Sequence, residues 1–512
     1  MKNLYKVTNI ILIAFFAVLI LLRIFYRLDA IGWLDIDEAK HASNAYETFK
    51  AGNWVVHLYN GEVDYVNSKP PLYYWLTNIL FGLFGINILT FKLPSAIAGT
   101  ILCVIISVFL YRHITKRFGK KDLALSGVVV FLAVFLSMDL LYDYHMIRTG
   151  NFDALYVLFI LAGIICMIKA QDDNRYLIPF GAFTGLAFLA KGFNSTTVVL
   201  SAICCIPLLA KEKRLKYIIY SVLTAIVVVF PWAALRFRFD GTEFFYNMLF
   251  GEAKDKLVGV TFEFFQMMPK TLTFRLLMYG MAFYIIALFI GKKSGKMVAE
   301  AVLSDLRENA ILWIWFWVSI LFYSWAGFFN EWYIYSSFVL AAVLSGIYVA
   351  IGIDSLKDTT VALKVIATLS IGVILAVAAY DGIHNLGSYW LAGNGGGPAL
   401  PFWADMREIK EMYGDQYQGS DVYVEDISQY ADLDDISIED APTSQELFFD
   451  KLAYAEYECD WHEKKGGIDA WKEAEDGILV VNKDILDRFI DRLSGHVIIQ
   501  DDGYIYFIHD TY

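Results

Sequence analysis

Eleven apolar runs recur before residue 380, and they constrain the fold more than any other feature. They lie near residues 7–26, 93–111, 123–140, 154–169, 176–190, 194–210, 216–235, 272–290, 311–326, 332–352 and 361–380. Several approach or exceed the roughly 20 residues that a helix needs to cross a bilayer. Hydrophobic residues make up 57% of the chain and mean hydropathy is +0.49, too apolar for a soluble protein. We therefore predict a polytopic α-helical membrane protein with about 11 to 13 spans.

Basic residues concentrate in alternate loops between these runs, which orients the chain. Loops rich in Lys and Arg stay on the cytoplasmic side of a membrane. The basic loops contain Arg112, Lys116, Arg117, Lys120, Lys121, Lys169, Arg175, Lys211, Lys213, Arg214, Lys216, Lys292, Lys293 and Lys296. The other loops, near 32–74, 141–153, 191–194 and 236–270, then face outward. We predict a multi-pass protein of the plasma or inner membrane, with membrane lipids as its surroundings and no nucleic-acid partner.

The apolar segment 70–89 decides the orientation of the rest of the chain, because one extra crossing there would invert every later loop. We place it along the outer surface, with Tyr73, Tyr74 and Trp75 at the interface that aromatic rings prefer. A genuine crossing is the competing interpretation. With eleven spans, the C-terminal tail lies outside the cytoplasm.

Charge divides the chain into two unlike parts. Residues 401–512 contain 28 acidic and 9 basic residues, a net charge of −19, whereas the first 400 residues contain 26 and 33, a net of +7. We predict a transmembrane domain over 1–390 and an acidic extracytoplasmic domain over 391–512. The boundary lies at the glycine-rich turn around Gly393, Gly395, Gly396, Gly397 and Pro398.

The acidic tail has the pattern of a small α/β domain. Segments 478–481, 496–500 and 503–509 have the composition of strands, and 483–493 that of an amphipathic helix, which predicts a βαβ-like unit with a closing hairpin. The acidic excess is typical of a solubilising surface. A calcium site at Asp432, Asp434 and Asp435 is weakly indicated, because the loop lacks the glycine and terminal glutamate of a calcium-binding hand.

Charged residues gather in the outer loops, next to span ends. They are Asp37, Glu38, Lys69, Arg148, Asp153 and Lys191. Ionisable groups at membrane depth are costly, so they mark functional sites more often than not. Each also has an ordinary interpretation: the loop charges as solvated groups, Asp153 as a capping acid at a helix start. Their shared side of the membrane favours one cavity in which Asp37 and Asp153 meet beside cations.

Such a cavity offers cations for a phosphate and carboxylates for a hydroxyl. Lys69 and Lys191 would bind a lipid-linked phosphate as point charges, and Arg148 would bind it through a bidentate fork. A carboxylate opposite would draw the proton from an acceptor hydroxyl as it attacks the anomeric carbon of a sugar. Phosphate leaves without an acid catalyst when its charge is neutralised.

The order of motifs resembles a known family. LDIDEAKHA, AGNWVVHLYNGEVDYVNSKPPLYYWL, KLPSAIAG, IRTGNFDALYVLFILAG, GLAFLAKGF and FPW follow one another as in the dolichyl-phosphate-mannose protein mannosyltransferase and aminoarabinose transferase superfamily. The resemblance covers about residues 1–390. It implies the GT-C fold and an inverting transferase that uses a polyprenyl-phosphate-sugar donor, undecaprenyl or dolichyl in type, on the outer membrane face.

The resemblance also implies roles for individual residues. Asp37 matches the first-loop catalytic aspartate, beside Glu38 in the acidic pair, and Asp153 matches the second acid. Lys69 and Lys191 match two basic residues near the lipid phosphate. Tyr333, in EWYIYSS, resembles a tyrosine that contacts it.

Departures from the family pattern limit the cofactor prediction. Ser68 replaces a frequent acid, and Lys40 stands where the aminoarabinose enzymes have a substrate-binding arginine. Ala253 stands where those enzymes have a histidine, so a zinc site built on that histidine is not matched. His41, His57 and His145 have no metal-ligand spacing. We predict no metal site and no firm cofactor.

Three hypotheses follow for the function. The preferred one is sugar transfer from a polyprenyl phosphate to an envelope acceptor, either protein, lipid or polymer. The second is a transporter or flippase for such lipids, although the chain shows no internal repeat. The third is a membrane scaffold that presents the acidic tail. The sequence specifies neither the sugar nor the acceptor.

Overall fold

The computed structural model describes most of the chain. The described residues are 2–29, 36–59, 61–251, 259–292, 294–326, 330–391, 400–425, 453–464, 466–474, 476–482, 486, 490–493, 496–501 and 504–509. Two compact units divide the chain. Unit 1 comprises Met1–Leu28, Tyr65–Tyr73 and Pro94–Leu391, and unit 2 comprises Asp29–Asp64, Tyr74–Leu93 and Ala392–Tyr512.

Helices make up most of the described residues. They are α1 (Lys2–Phe25), α2 (Ile36–Lys50), α3 (Leu72–Phe84), α4 (Ile88–Phe118), α5 (Lys121–Leu136), α6 (Asp139–Asp143), α7 (Asp153–Ala170), α8 (Leu177–Lys191), α9 (Thr196–Cys205), α10 (Arg214–Asp240), α11 (Glu243–Tyr246), α12 (Glu263–Met267), α13 (Leu272–Lys292), α14 (Gly295–Glu308), α15 (Ala310–Ala326), α16 (Tyr335–Ser355), α17 (Val361–Leu391), α18 (Leu400–Tyr413), α19 (Gly467–Glu473) and α20 (Ile490–Leu493). Residues 453–459 are also helical. Short helical turns occupy Asn174–Tyr176, Gly192–Ser195, Ile206–Leu208, Asn247–Gly251 and Glu331–Ile334.

Every predicted apolar run falls on a helix, but the number of spans is smaller than predicted. Among the described residues, eight helices are long and apolar enough to cross a membrane, or nine if α14 and α15, bent by 73°, count as one span. The difference arises at two places. Helix α5 has only 16 residues, and α8 and α9 form one broken apolar stretch over Asn174–Leu208.

The predicted surface segment forms a short helix. Helix α3 has 13 residues, which at about 1.5 Å per residue is shorter than the roughly 30 Å of a bilayer core. Its length therefore favours the surface interpretation over a crossing. Tyr73 and Tyr74, however, are buried within the protein. The sequence analysis placed these two side chains at the membrane interface, whereas the structure buries them inside the protein.

Helix α16 lies in the centre of unit 1, where every residue from Tyr335 to Gly352 is buried. A helix that is apolar on all sides is stable when protein surrounds it. Its crossing with α5 is close because both helices present glycine: a Cβ added to Gly346 would lie 2.5 Å from the carbonyl oxygen of Gly127. Small residues permit such approach between membrane helices. Helix α16 begins at Tyr335, two residues after Tyr333.

The C-terminal part of unit 2 contains a five-stranded sheet in the order β4-β3-β5-β7-β6. Its strands are β3 (Asp421–Val424), β4 (His462–Lys464), β5 (Ile478–Asn482), β6 (Val497–Asp501) and β7 (Tyr504–Ile508), and a hairpin of β1 (Leu58–Tyr59) and β2 (Glu62–Val63) lies earlier in the chain. Strands β3, β4 and β5 are parallel, and β7 is antiparallel to β5 and β6. The three predicted strands are confirmed as β5, β6 and β7, whereas β3 and β4 were not predicted.

Several sequence predictions fall outside the described residues. The glycine-rich boundary at 393–398, the acidic run at 432–435 and Ala253 are among them. Of the predicted helix 483–493, residue 486 and its end, Ile490–Leu493, are described, and that end is helical.

Candidate functional site

Asp153 and Lys191 form a buried ion pair in unit 1. Asp153 opens α7, where a carboxylate is favoured by the helix dipole, and Lys191 is the last residue of α8. The Lys191 ammonium donates to a carboxylate oxygen of Asp153, and the side chains are 4% and 2% exposed. Asp153 is therefore more than a helix-capping residue, because it is also the ion-pair partner of Lys191.

Aromatic side chains enclose this pair. The ammonium of Lys191 lies 5.3 Å from the ring centre of Tyr333 and 5.9 Å from that of Tyr156. Aromatic faces attract a cation at such distances. Tyr323 stacks on Tyr333 with ring centres 4.7 Å apart. Three of the predicted site residues, Asp153, Lys191 and Tyr333, therefore lie together.

Asn194 holds the helices around the pair in register. Its backbone carbonyl accepts from the Tyr156 hydroxyl of α7 at 2.6 Å, and its side-chain oxygen accepts from the Tyr323 hydroxyl of α15 at 2.8 Å. Buried polar groups that are bonded in this way define a single arrangement of their helices. No local pattern in the sequence predicts these long-range contacts.

Lys69 belongs to a segment that packs against the end of α8. Gly192, next to Lys191, has φ +59°, and a Cβ there would lie 3.1 Å from the Pro70 ring. The Lys69 backbone N–H donates to the Asn67 side-chain oxygen at 3.2 Å, which fixes the turn before the prolines. The contact brings the backbone beside Lys69 close to the backbone beside Lys191.

We expect Gly192→Ala to destabilise the fold. Its backbone conformation (φ +59°, ψ −123°) is unfavourable for any residue with a Cβ and costs about 1–3 kcal/mol, and the Pro70 contact adds to it. Thermal unfolding of the purified protein measures the loss. Gly387→Ala is the matched control, because nothing lies within 4 Å of its Cβ position. Equal stability of the two variants would contradict this account.

An apolar cavity of about 520 Å³ begins at the same place. It lies between α8, α9 and α10 and is lined mainly by aliphatic and aromatic side chains, together with Gly192, Ser195 and Thr196. A cation site beside an apolar cavity suits an amphiphile with a charged head and a hydrocarbon chain.

In unit 2, the acidic pair at the start of α2 divides into one exposed and one buried carboxylate. Asp37 is exposed and Lys40 is half-buried. Glu38 is fully buried and lies 3.4 Å from the ammonium of Lys92, which is buried as well. Glu38 thus lies in an internal ion pair with Lys92, a residue that the sequence analysis did not single out, and the catalytic role of Glu38 stays a prediction.

Arg148 is used inside unit 1. Its guanidinium donates to the backbone carbonyls of Arg23 at 2.5 Å and Tyr26 at 3.0 Å, just where α1 ends, and lies 4.0 Å from the Tyr389 ring centre. A buried guanidinium with carbonyl partners satisfies the last turn of a helix. The predicted phosphate fork is therefore directed at backbone, and Arg148 supports the loop before Asp153.

Arg23 lies beside it, buried among carboxylates. Its guanidinium is 2.6 Å from a carboxylate oxygen of Asp139 and 3.6 Å from one of Asp143. Burial raises the pKa of the Asp143 carboxyl, and the charge of Arg23 partly offsets that shift. The sequence analysis did not single out this network, which fixes α6 against α1.

The histidines predicted to lie outward do not combine into a metal site. His41 and His57 both contact Tyr74 in unit 2, and His145 stacks on Trp332 in unit 1 with ring centres 4.3 Å apart. Over the described ranges, no group of three His, Cys, Asp or Glu side chains is arranged to hold an ion.

The tail holds α2 in place within unit 2. Tyr457 donates to the carbonyl of Ala42 at 3.1 Å, and its ring packs on Tyr46, Phe81 and Phe91 at 5.8 to 6.2 Å between ring centres. Lys50, at the end of α2, pairs with Asp460 at 2.8 Å. The acidic tail thus positions the helix that carries Asp37.

We expect Tyr457→Ala to destabilise unit 2 by about 2 kcal/mol, since several aromatic pairs are lost at roughly 0.5–1.5 kcal/mol each. Tyr457→Phe keeps the ring and is expected to lose only the hydrogen bond, about 1 kcal/mol. Protease sensitivity of residues 36–50 reports the loosening. The same digestion rate in both variants and in the parent chain would contradict the positioning role.

Comparison with known proteins shows which families and structures the chain resembles. The family described as dolichyl-phosphate-mannose-protein mannosyltransferase matches residues 68–234. The structure superposes on ArnT from Cupriavidus metallidurans over 98% of this chain and 97% of that one, with TM-scores of 0.64 without ligand and 0.62 bound to undecaprenyl phosphate, at 13% and 14% identity. This likeness shows that the chain has the fold of ArnT. The predicted GT-C fold is confirmed.

Curated relatives match the chain over a shorter stretch. An undecaprenyl phosphate-alpha-4-amino-4-deoxy-L-arabinose arabinosyl transferase of Photorhabdus laumondii is 25% identical over 38% of this chain and 35% of its own length. A transferase of the same description from Pseudomonas savastanoi is 27% identical over 38% of this chain and 36% of its own. The match thus spans about a third of these relatives.

Proposed function

We propose that this GT-C protein is an inverting glycosyltransferase that moves a sugar from a polyprenyl phosphate to an acceptor on the outer membrane face. The observation that carries the proposal is the buried Asp153–Lys191 pair beside Tyr333, with an apolar cavity that begins at the neighbouring Gly192. The names of the curated relatives, arabinosyl transferases acting with undecaprenyl phosphate, support the same donor class.

In this proposal the donor binds through its two chemically distinct ends. The polyprenyl chain occupies the apolar cavity between α8, α9 and α10. The phosphate lies at Lys191 and Lys69, with Tyr333 against it. Asp153 keeps Lys191 charged and fixes its position, because a buried ammonium is stable only with a partner.

The transfer step is a single displacement. An acceptor hydroxyl attacks the anomeric carbon from the face opposite the phosphate, the new carbon–oxygen bond forms, and the bond to the phosphate oxygen breaks. Asp37 takes the hydroxyl proton as general base. The lysines neutralise the departing polyprenyl phosphate, so no acid catalyst is required. Glu38 and Lys92 hold the start of α2, and Lys40 contacts the substrate from the next turn.

Mass spectrometry of extracted envelope components tests the proposal and identifies the sugar. Cells that express the chain are expected to carry a component heavier by one sugar residue, and cells that express Asp37→Asn at the same level are expected to lack it. Membrane abundance of both proteins is the control. The same added mass with both forms, or with neither, would contradict transfer that depends on Asp37.

A further inference from the structure

A second and larger cavity in unit 1 has a lining that shares no residue with the first cavity or with the Asp153–Lys191 pair. Its volume is about 880 Å³, towards the upper end of ligand pockets at roughly 300–1,000 Å³. It is enclosed by the first turns of α1 and α5, the end of α16 and the first half of α17. No residue of the proposed transfer site lines it.

The inner part of this cavity is apolar. Leu12, Val129, Val130, Ile371 and Leu375 line it. Helices α1 and α17 are both long and apolar enough to cross a membrane, so hydrocarbon surrounds a cavity that opens between them. A hydrocarbon chain is the chemically matched occupant of such a lining.

The outer part of the cavity is basic. Lys120, Lys121, Lys357 and Lys364 line it against the two acids Asp122 and Asp354. Lys120 pairs with Asp354 and Lys357 lies 3.9 Å from the same carboxylate. Lys121 and Lys364 form no ion pair with any described residue. The excess of two positive charges suits one phosphate group.

Polar side chains of α1 and α5 join the two parts. The Tyr5 and Ser126 hydroxyls are hydrogen-bonded at 2.6 Å, and the Asn9 amide donates to the Ser126 hydroxyl at 3.0 Å. Along α5, Ser126 lies between Lys121 and Val129, where the ester groups of a bound lipid would follow its phosphate. The lining thus changes from cationic to polar to apolar along the cavity.

We propose that this cavity binds an anionic glycerophospholipid, with the phosphate at Lys121 and Lys364 and the acyl chains against α1, α5 and α17. Basic pockets between membrane helices on the side of the positive loops recognise anionic headgroups in this way. The lipid fills the space between three helices and stabilises unit 1. The inference is independent of the sugar-transfer proposal.

Native mass spectrometry of the purified full-length protein tests the site, with phosphatidylglycerol and phosphatidylcholine of identical acyl chains as probes. Phosphatidylglycerol is expected to bind more tightly. Lys121→Gln with Lys364→Gln is expected to weaken its binding roughly tenfold and to leave phosphatidylcholine binding unchanged. Lys211→Gln with Lys292→Gln, both exposed and outside the cavity, is the matched control with no expected effect.

Two further arms separate a lipid site from its alternatives. Ala367→Phe fills the apolar part and is expected to weaken binding of both lipids, with thermal unfolding as the check that the protein is folded. Glycerol 3-phosphate is expected not to displace the lipid; full displacement would mean a site for free phosphate and would overturn the proposal. Equal affinity for the two lipids, or an unchanged affinity in the cavity double variant, would overturn it as well.

Discussion

Asp153→Asn and Lys191→Met are each expected to destabilise the protein by about 3–5 kcal/mol, because each leaves one buried charge without its partner. The double variant carries neither charge and is expected to recover most of the lost stability. Its donor binding is nevertheless expected to be lost, since the lysine proposed to hold the phosphate is gone. Thermal unfolding and binding of polyprenyl phosphate to the purified protein measure the two effects separately.

An exposed pair provides the control for that experiment. Lys116 and Asp172 lie 2.8 Å apart with side chains 79% and 72% exposed, and the same two substitutions there are expected to change stability by less than about 1 kcal/mol. A double variant at Asp153 and Lys191 as unstable as the single ones would show that the two charges do not act as a unit. Normal donor binding by that double variant would remove Lys191 from the donor site.

Asp37→Asn is expected to lower the rate of sugar transfer by about 10²–10⁴-fold, the usual effect of losing a general base. Affinity for polyprenyl phosphate is expected to stay within about twofold, because Asp37 touches the acceptor proton and not the phosphate in the proposed step. Initial rates and equilibrium binding on the same preparation separate kcat from donor affinity.

Glu62→Gln is a suitable control for Asp37→Asn, since Glu62 is an exposed acid on the hairpin that follows α2. It is expected to transfer at the parental rate. A loss of donor binding in Asp37→Asn equal to the loss of rate would place Asp37 in binding. An unchanged rate would exclude it as the base.

The sequence predicted the local features of the site and missed the long-range ones. Asp153 at a helix start and Lys191 beside a glycine were readable because helix-end preferences are local. Their pairing was not, because they are 38 residues apart and periodicity carries no information about partners. The pairing of Glu38 with Lys92 was equally unpredictable from the sequence. No local pattern indicates that Glu38 is buried while the adjacent Asp37 is exposed.

The same difference between local and long-range features applies to the fold. Long apolar runs predicted the helices, but only the observed helix bounds showed that α3 and α5 are shorter than full spans and that α8 and α9 belong to one stretch. In the tail, β5, β6 and β7 had clear patterns, whereas β3 and β4 are short. The grouping of Asp29–Asp64 with the tail in unit 2 depends on contacts such as Tyr457 with Ala42, which no local pattern indicates.

The most direct test of sugar transfer follows both the sugar and the lipid in vesicles that contain only the purified protein, a polyprenyl-phosphate sugar and the acceptor found in the envelope. The proposal predicts one free polyprenyl phosphate for each sugar transferred, with both products absent in Asp37→Asn. Movement of the intact lipid between leaflets without cleavage, at the same rate in both proteins, would contradict it and favour a transporter.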